Sequence, residues 1–367
     1  MLSPPQGWPR RTVYAAAVIH LRRGAPVRQV GAQSAAYWHA LSCHCERVGV
    51  TVGPMLVTLV TINLVVHLLL PAAFLLWTAL GRHRSRARFL AVGALTAAYL
   101  LFVGQVGAGW AWFGLWWPWL WYASFPVACG VWLVRRWRAA PWWPERRVLP
   151  IAGLAFTIVL AASLLSTIPL VLQAHRYEGE ALELQPPLSG GSIVVGHGGG
   201  NAVLNQHALV PAQRYALDIL GLDGASRADG LYPDALTAYA IWGRPVIAPC
   251  AGRVVAVESG LPDIAPGLPA GKREDAAGNH VVLRCGAHHV ILAHLQRGSV
   301  AVEPGVDVAV GQRLGVAGNS GNTSEPHLHI HALAANAGDR DELLWKGSGV
   351  PITFGGRFLV RGDTADW

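Results

Sequence analysis

Three histidines alternate with two apolar residues near the C-terminus, in the order His327, Leu328, His329, Ile330, His331. In an extended strand, side chains two positions apart point to the same face, so the three imidazoles share one side. Three crowded imidazoles build a poor hydrophobic core, whereas neutral imidazole is a common metal ligand. The Gly- and Asn-rich stretch before them, residues 318–322, is typical of a turn. The pattern therefore favours a metal or catalytic site over a histidine-rich surface strand.

The second half of the chain supplies further histidines and a carboxylate that could join this site. They are His197, His207, Asp218, His280, His288, His289 and His294. A catalytic zinc takes three protein ligands from His, Asp or Glu and leaves one position for water. Further His groups nearby can move protons and stabilise a developing oxyanion. These residue types therefore suit metal-assisted hydrolysis.

Short strands must position these groups. Residues 253–258, 280–284, 290–294 and 313–317 are strand-like and bounded by Gly or Pro. We expect an all-β domain over residues 201–340, which is long enough to bury its own core. A polar, Gly-rich linker, 176–200, precedes it, and a C-terminal extension, 341–367, follows it. The linker lacks the Lys-Ser/Thr of a P-loop and the spacing of a dinucleotide fingerprint.

The first half of the chain is unusually apolar. The whole protein is 52% hydrophobic and only 14% charged, which is typical of membrane proteins. Residues 48–81, 89–134 and 148–174 contain no Asp, Glu, Lys or Arg. Because one span needs about 20 apolar residues, these runs predict one, two and one spans respectively. The sequence therefore predicts four transmembrane helices within residues 51–175, rather than buried helices of a soluble protein.

Arginine clusters predict the orientation of these spans. Residues 82–88 and 135–147 are Arg-rich and should face the cytoplasm, which places 108–113 and everything after about 175 outside. The net charge of +8 therefore lies largely beside membrane segments, and we expect no nucleic-acid binding. The N-terminal segment, 1–50, has no cleavable signal pattern, and its Arg residues conflict with an outside start. A natural start at Met55 instead of Met1 would remove the conflict.

Three segments in order resemble the lysostaphin/LytM-type zinc metallopeptidases, which cleave peptide bonds in bacterial peptidoglycan. They are residues 243–254 (GRPVIAPCAGRV), residues 293–312 (AHL to VGQ) and residues 315–329 (GVAGNSG to PHLH). The resemblance covers about 200–335 and none of the membrane half. It implies an antiparallel sheet with an open groove, as in the duplicated hybrid motif, and one Zn²⁺ per chain.

The resemblance also implies roles for individual residues. His329 and Asp218 correspond to metal ligands, and His294 and His327 to the catalytic histidines that orient water and polarise the scissile carbonyl. The first ligand departs from the common pattern, because the position four residues before Asp218 is Arg214. A related subgroup has an N-x-H motif further upstream.

We therefore favour His207 as the first metal ligand, with His197 as the second choice. Two smaller departures are Glu325, where Gly is usual, and His331, where Glu is usual; either could alter the charge of the groove. We expect His331 to support the site rather than ligate the metal.

Several neighbouring residues carry weaker expectations. Asn205 and Gln213 flank the proposed ligands, where either a hydrogen bond to a ligand or a polar turn fits. We expect His288 and His289 to be exposed turn residues, and we assign no role to His280.

Cys250 and Cys285 lie in the part of the chain expected outside the cytoplasm, where disulfides persist. Each ends beside a strand-like segment. We predict a bridge between them, the alternative being two free buried thiols.

Together these patterns predict a membrane-anchored zinc endopeptidase of a bacterial inner membrane, with its catalytic domain outside the cytoplasm. Its partners would be the lipid bilayer and peptidoglycan peptides or another peptide substrate. The alternative is a non-catalytic regulator that binds cell-wall peptides or an amidase. A sensor or transporter is less favoured, because no charged residue interrupts the spans. The sequence indicates no particular protein partner.

Overall fold

Uncharged apolar runs form long helices in the first half of the chain. The computed structural model describes residues 52–144, 148–267, 275–334, 344 and 346–367. The helices are α1 (Val52–Leu64), a π-helical turn (Val65–Leu69), α2 (Leu70–Leu80), α3 (Arg86–Gln105), α4 (Gly109–Phe113), α5 (Trp117–Arg136), α6 (Val148–Leu165) and α7 (Thr167–Ala174). The expected N-terminal segment, 1–50, lies outside the described residues. The proposed start at Met55 therefore stays a prediction.

Three helical stretches are long and apolar enough to cross a membrane. They are Val57–Leu80, Arg86–Gln105 and Val148–Ala174. Half of the apolar window in Arg86–Gln105 is buried within the protein, against 17% and 11% in the other two. Helix α3 therefore lies at the centre, in contact with α2, α5 and α6.

The sequence predicted four spans, and the described residues give three. Helix α5 has the length of a span, at 20 residues. Its four Trp and two Pro residues, including Pro126 inside the helix, make it less apolar than the other three. Tryptophan prefers the membrane interface to the bilayer core, which is the physical reason for the difference.

The second half of the chain forms an antiparallel sheet, as expected. Its strands are β1 (Leu182–Leu184), β2 (Ser192–His197), β3 (Leu217–Gly221), β4 (Pro245–Ile247), β5 (Gly252–Glu258), β6 (Asn279–Cys285), β7 (His288–Leu295), β8 (Asp307–Val308), β9 (Arg313–Val316), β10 (Leu328–Ala334), β11 (Gly349–Val350), β12 (Ile352–Phe354) and β13 (Thr364–Asp366). The main sheet has the order β13-β2-β3-β10-β7-β6-β5-β8, with β11 also paired to β10. Strands β4 and β9 form a second antiparallel pair, and β1 and β12 a parallel one.

Strand β10 lies in the middle of this sheet, between β3 and β7. Its residue His329 is opposite Asp218 of β3 and opposite Ala293 of β7. Leu328 and Ile330 are fully buried in the main apolar core. The alternation therefore places the histidines of β10 on the face away from that core, as the sequence predicted.

The segments expected as linker and C-terminal extension differ from that expectation. Strand β2 lies within 176–200 and pairs with β3, and β13 lies within 341–367 and pairs with β2. Residues 193–195 of β2 are fully buried. Their short apolar run is surrounded by glycines in sequence, which concealed a strand that lies inside the sheet between β13 and β3.

The prediction of exposed turns at His288 and His289 is wrong. Strand β7 begins at His288, and His289 is 5% exposed. The turn is tighter than expected because Gly286 adopts a positive φ of 61°, so the two strands continue to within two residues of each other.

A cysteine pair links the start of β5 to the end of β6. Cys250 and Cys285 form a disulfide in the structure, with their Cα atoms 6.1 Å apart. This Cα separation lies in the usual range for a disulfide. The pair lies at the edge of the main apolar core, so the bridge joins two neighbouring strands there.

The helices and the sheet pack together, because residues Leu56–Trp367 form one compact unit. Trp110 of α4 packs against Val194 and Leu220 of the sheet. The Arg361 guanidinium donates a hydrogen bond to the carbonyl of Val106 at the end of α3 (2.9 Å). The sheet is therefore held against the segment that connects α3 to α5.

Candidate active site

Two histidines and one carboxylate meet on the histidine-bearing face of the sheet. His207 Nε2 donates to Asp218 Oδ2 and His329 Nδ1 donates to Asp218 Oδ1, both at 2.9 Å. One potential ligand atom from each residue lies within 4.8 Å of the other two. Donor atoms around a tetrahedral zinc are roughly 3.4 Å apart, given metal–ligand distances near 2.1 Å. The donor set therefore fits a zinc ion in both chemistry and spacing.

Local sequence explains how His207 reaches strands β3 and β10. It lies in a short 3-10 helix, Gln206–Leu209, whose N-cap is Asn205. The Asn205 side chain accepts from the backbone N–H of His207 and donates to the carbonyls of Gly199 and Ala216. Asn205 is fully buried. It therefore holds the His207 turn against the strand that carries Asp218.

Gln213 also contributes to this arrangement. Its side chain hydrogen-bonds to His207. Gln213 therefore bonds the side chain of the candidate ligand His207, whereas Asn205 bonds the backbone around it.

The charge states of Asp218 and His329 suit metal binding. Burial favours the neutral form of Asp218, but the nearby His207 and His327 and hydrogen bonds from His207 and His329 hold its pKa well below the usual value. Burial lowers the pKa of His329 to about 4, against the opposing effect of Asp218. A carboxylate and a neutral imidazole are the forms that bind a metal ion.

His331 supports His329, as the sequence predicted. Its Nδ1 lies 3.0 Å from His329 Nε2, so the two rings share a hydrogen bond. Burial, followed by the neighbouring His329, holds the pKa of His331 well below its usual value. A partner on the second ring nitrogen fixes the orientation of a ligating histidine. His331 therefore orients the candidate ligand His329 and lies outside the group His207, Asp218 and His329.

His197, the alternative candidate for the first metal ligand, contacts Arg361. Its Nδ1 accepts a hydrogen bond from Arg361 Nη2 (2.6 Å). Burial comes first among the causes that lower its pKa to about 4. Its ring centroid is 6.0 Å from that of His207, so it lies beside the donor set, and His207 is the residue that contacts Asp218.

His294 and His327 lie side by side next to the donor set. Their ring centroids are 4.6 Å apart, and that of His294 is 5.8 Å from His329. His327 Nε2 is 3.5 Å from Asp218 Oδ1. His327 Nδ1 donates to the backbone carbonyl of Glu325 (2.8 Å), which leaves Nε2 directed at the site.

His294 has an unusual backbone conformation. It is the non-glycine residue with positive φ (63°) among the described residues. Such conformations cost on the order of 1–3 kcal/mol and concentrate at functional sites. His294 Nδ1 donates to the carbonyl of Ser320 (2.8 Å), and the N–H of Gly318 donates to the His294 carbonyl. The Gly-rich loop thus holds this side chain in place.

Glycines allow that loop to approach β6 closely. Gly278 and Gly321 have φ values of 62° and 84°. A Cβ on Gly278 would collide with the Ser320 carbonyl. This contact explains why small residues stand at both positions, since any side chain would displace the loop that binds His294.

Two cavities border these histidines. One, of about 410 Å³, is lined by His197, His207, Asp218, His294 and His327 together with residues 323–325. The other, of about 450 Å³, is lined by His207, His294, His329 and His331 and by apolar residues including Leu209 and Ile291. Each residue of the donor set and of the histidine pair therefore lines at least one of the two cavities.

An ion pair beside the site escaped the sequence analysis. Arg227 Nη1 lies 2.5 Å from Glu325 Oε2, an ionic contact rather than an aligned hydrogen bond. Both side chains are largely buried, at 3% and 16% exposure. Burial raises the pKa of Glu325, and Arg227 opposes this effect. The unusual Glu325 was the available signal, but nothing around Arg227 in the sequence pointed to its partner.

A family comparison agrees with this geometry. Residues 235–338 match the model of Peptidase family M23. The chain carries an M23 peptidase domain. The matched M23 segment contains His294, His327 and His329, which confirms the resemblance seen in the sequence. His207 and Asp218 precede it, so their assignment depends on the spatial arrangement.

Solved structures similar to part of this chain include two peptidases. A zinc containing peptidase from Vibrio cholerae is 19% identical, with 42% of this chain and 37% of that chain covered and a TM-score of 0.24. The antimicrobial peptidase lysostaphin from Staphylococcus simulans is 19% identical, with 41% and 45% covered and a TM-score of 0.24. The chain thus covers less than half the length of either protein. Curated proteins gave no match to this chain.

Proposed function

We propose that this protein is a membrane-anchored zinc metallo-endopeptidase that hydrolyses peptide bonds of peptidoglycan. The observation that carries the proposal is the convergence of three residues, His207, Asp218 and His329. One potential ligand atom from each lies within 4.8 Å of the other two, and the His294–His327 pair lies beside them. The M23 domain supports a peptidase of this class. The two cavities that border the site offer space for a bound peptide.

In this proposal, different side chains bind the metal, transfer a proton and stabilise the oxyanion. Bound to His207, Asp218 and His329, zinc would lower the pKa of a water molecule towards about 7 and so make a nucleophile available. His327, with Nδ1 bonded to a carbonyl, presents Nε2 to accept or donate a proton. His294, with Nδ1 bonded to Ser320, presents its other nitrogen to stabilise the developing oxyanion.

Membrane anchoring is part of the proposal. The three apolar stretches support it, and α5 would serve as a fourth span between the turn at 108–113 and the Arg-rich loop at 135–147. With both Arg-rich loops in the cytoplasm, the site would lie outside the cytoplasm of a bacterial inner membrane.

The experiment that tests the proposed function uses the full-length protein in detergent. Zinc content and release of peptides from purified peptidoglycan are measured for wild type, His207→Ala and His329→Ala, with His288→Ala as a matched control. We expect about one zinc per chain and hydrolysis in wild type and control, and loss of both in the two ligand variants. Full activity in His207→Ala would show that the first ligand is wrong.

The alternative function is a non-catalytic binding module for cell-wall peptides or amidases. Its supporting observation is Arg214, which stands at the usual position of the first ligand. Arg214 Nη1 instead lies 3.3 Å from Glu178 Oε2, and His207 provides a ligand atom to the site. The complete donor set favours the enzyme. Peptidoglycan binding by a wild-type protein that holds no zinc and releases no peptide would favour the alternative.

A further inference from the structure

Part of the cavity beside His327 is built by the helical half of the protein. Ala108, Trp110 and Ala111 line it together with His207 and His327. We call these three residues the helical wall. They belong to the connection between α3 and α5, residues 106–116, which contains α4.

The helical wall is fixed to the sheet by apolar packing and hydrogen bonds. Trp110 is 7% exposed and packs on Val194 and Leu220. The ring of Trp112 stacks on Tyr232, with centroids 5.5 Å apart. The N–H of Leu115 donates to the carbonyl of Ala225 (3.1 Å). The helical wall is therefore fixed in position at the side of the cavity.

Two arginines, the buried Arg227 and the half-buried Arg361, connect the same segment to groups at the site. Arg227 donates from Nε to the carbonyl of Ala111 (2.6 Å) and contacts Glu325 through Nη1. Arg361 donates from Nη1 to the carbonyl of Val106 and from Nη2 to His197. Each guanidinium thus bonds a carbonyl of the α3–α5 connection and a side chain that lines the cavity.

The helical wall also begins close to the end of an apolar helix. Helix α3 ends at Gln105, and Ala108 follows three residues later. Three residues extend at most roughly 11 Å. If α3 crosses the membrane, a peptide in this cavity would lie at the membrane surface.

We propose that the helical wall is a substrate-binding surface of the catalytic cleft, and that Ala108 and Ala111 contact the bound peptide. The proposal deepens the proposed function and depends on it for the nature of the ligand. It assigns the substrate class as peptides held next to the membrane, such as the peptidoglycan peptides nearest the bilayer. Small side chains at both positions leave room for a peptide backbone.

The first test narrows the cleft at the helical wall. The full-length Ala108→Trp variant is compared with Ala139→Trp, which changes an exposed alanine in the turn after α5. We expect kcat/KM on soluble cross-linked muropeptides to fall by about tenfold or more in Ala108→Trp, with zinc content unchanged. The Ala139→Trp control should match wild type. Wild-type kcat/KM in Ala108→Trp would overturn the proposal while leaving the proposed function intact.

The second test does not need turnover or a bulky substitution. Ala108→Cys and Ala139→Cys are made with Cys43, Cys45 and Cys129 replaced by Ser, and alkylation of the new thiol is timed by mass spectrometry. We expect the same muropeptides to slow alkylation of Ala108→Cys severalfold and to leave Ala139→Cys unaffected. Equal rates with and without muropeptides at Ala108→Cys would overturn the proposal. A wild type that fails to hydrolyse while this protection persists would instead refute the proposed function alone.

Discussion

At the scale of single residues, the candidate metal ligands differ from the surrounding residues in their hydrogen bonds. Asp218 receives hydrogen bonds from His207 and His329, and His331 bonds the far nitrogen of His329. His294 and His327 bond backbone carbonyls through Nδ1 and keep their other nitrogens towards the site. Some substitutions should therefore abolish zinc binding, and others should lower kcat while zinc stays bound.

The catalytic histidines are expected to affect turnover alone. His294→Ala and His327→Ala should each retain about one zinc per chain and lose roughly 10²–10⁴-fold in kcat, the usual contribution of proton transfer or oxyanion stabilisation. Zinc content and initial rates on muropeptides, measured on the same preparations, provide the check. Loss of zinc in either variant would make that residue a ligand instead.

His331 should affect metal affinity. His331→Ala removes the partner that orients His329, and loss of such a partner typically weakens metal binding about 10–100-fold. Competition with a zinc chelator measures this directly. Wild-type affinity in His331→Ala would show that the hydrogen bond to His329 is not needed to hold the ligand.

The sequence could place His294 and His329 on strands, because apolar runs and alternation indicate strands. The roles of the candidate ligands and of the histidine pair stay predictions. The sequence could not show the positive φ of His294, since nothing in Ala293-His294-Leu295 differs from a regular strand. It also concealed the Arg227–Glu325 contact, which joins residues almost a hundred positions apart. Contacts of this kind depend on loop packing rather than on local pattern.

At the scale of elements, the loop before β10 links the helices to the catalytic pair. Arg227 bonds Ala111 of α4 and contacts Glu325, whose carbonyl accepts from His327 Nδ1. Arg227 is therefore a positioning residue for His327. The strands around this loop were largely predictable, but β2 and β13 were not, because their short apolar runs lie among glycines and polar residues.

The Arg227–Glu325 contact should appear as coupling between two substitutions. Arg227→Gln should lower kcat by roughly tenfold or more with little change in KM, because His327 loses its fixed position. In a Glu325→Gln background the same substitution should cost much less, since no buried charge is left unpaired. Arg244→Gln is the matched control, because Arg244 bonds the carbonyl of Ser192 away from the site. Additive effects would contradict the coupling.

The disulfide should stabilise the β5–β6 pair. Cys250 and Cys285 are 35 positions apart, and a bridge closing such a loop contributes about 2–4 kcal/mol. Cys250→Ala/Cys285→Ala should lower the thermal midpoint, while Cys129→Ser, at a free cysteine, should not. Peptide mapping under denaturing conditions without reductant checks the bridge, and alkylation at both cysteines would refute it.

At the scale of the whole molecule, a helical half and a β half share one cavity. Composition predicted a helical first half and a β-sheet second half, and the runs without charged residues predicted where the helices lie. The number of spans was harder to predict, because α5 combines the length of a span with Trp and Pro residues that suit an interface. The sequence also could not predict that Trp110 packs on the sheet. An apolar residue within a predicted membrane segment gives no local signal of a contact with another domain.

The central claim is that this protein hydrolyses peptide bonds with zinc held by His207, Asp218 and His329. The most direct measurement is peptide release from purified peptidoglycan by the full-length protein, before chelation, after chelation and after addition of zinc. We predict that chelation abolishes release and that about one equivalent of zinc restores it in wild type but not in Asp218→Asn. Undiminished release after complete removal of the metal, or full restoration in Asp218→Asn, would contradict the account.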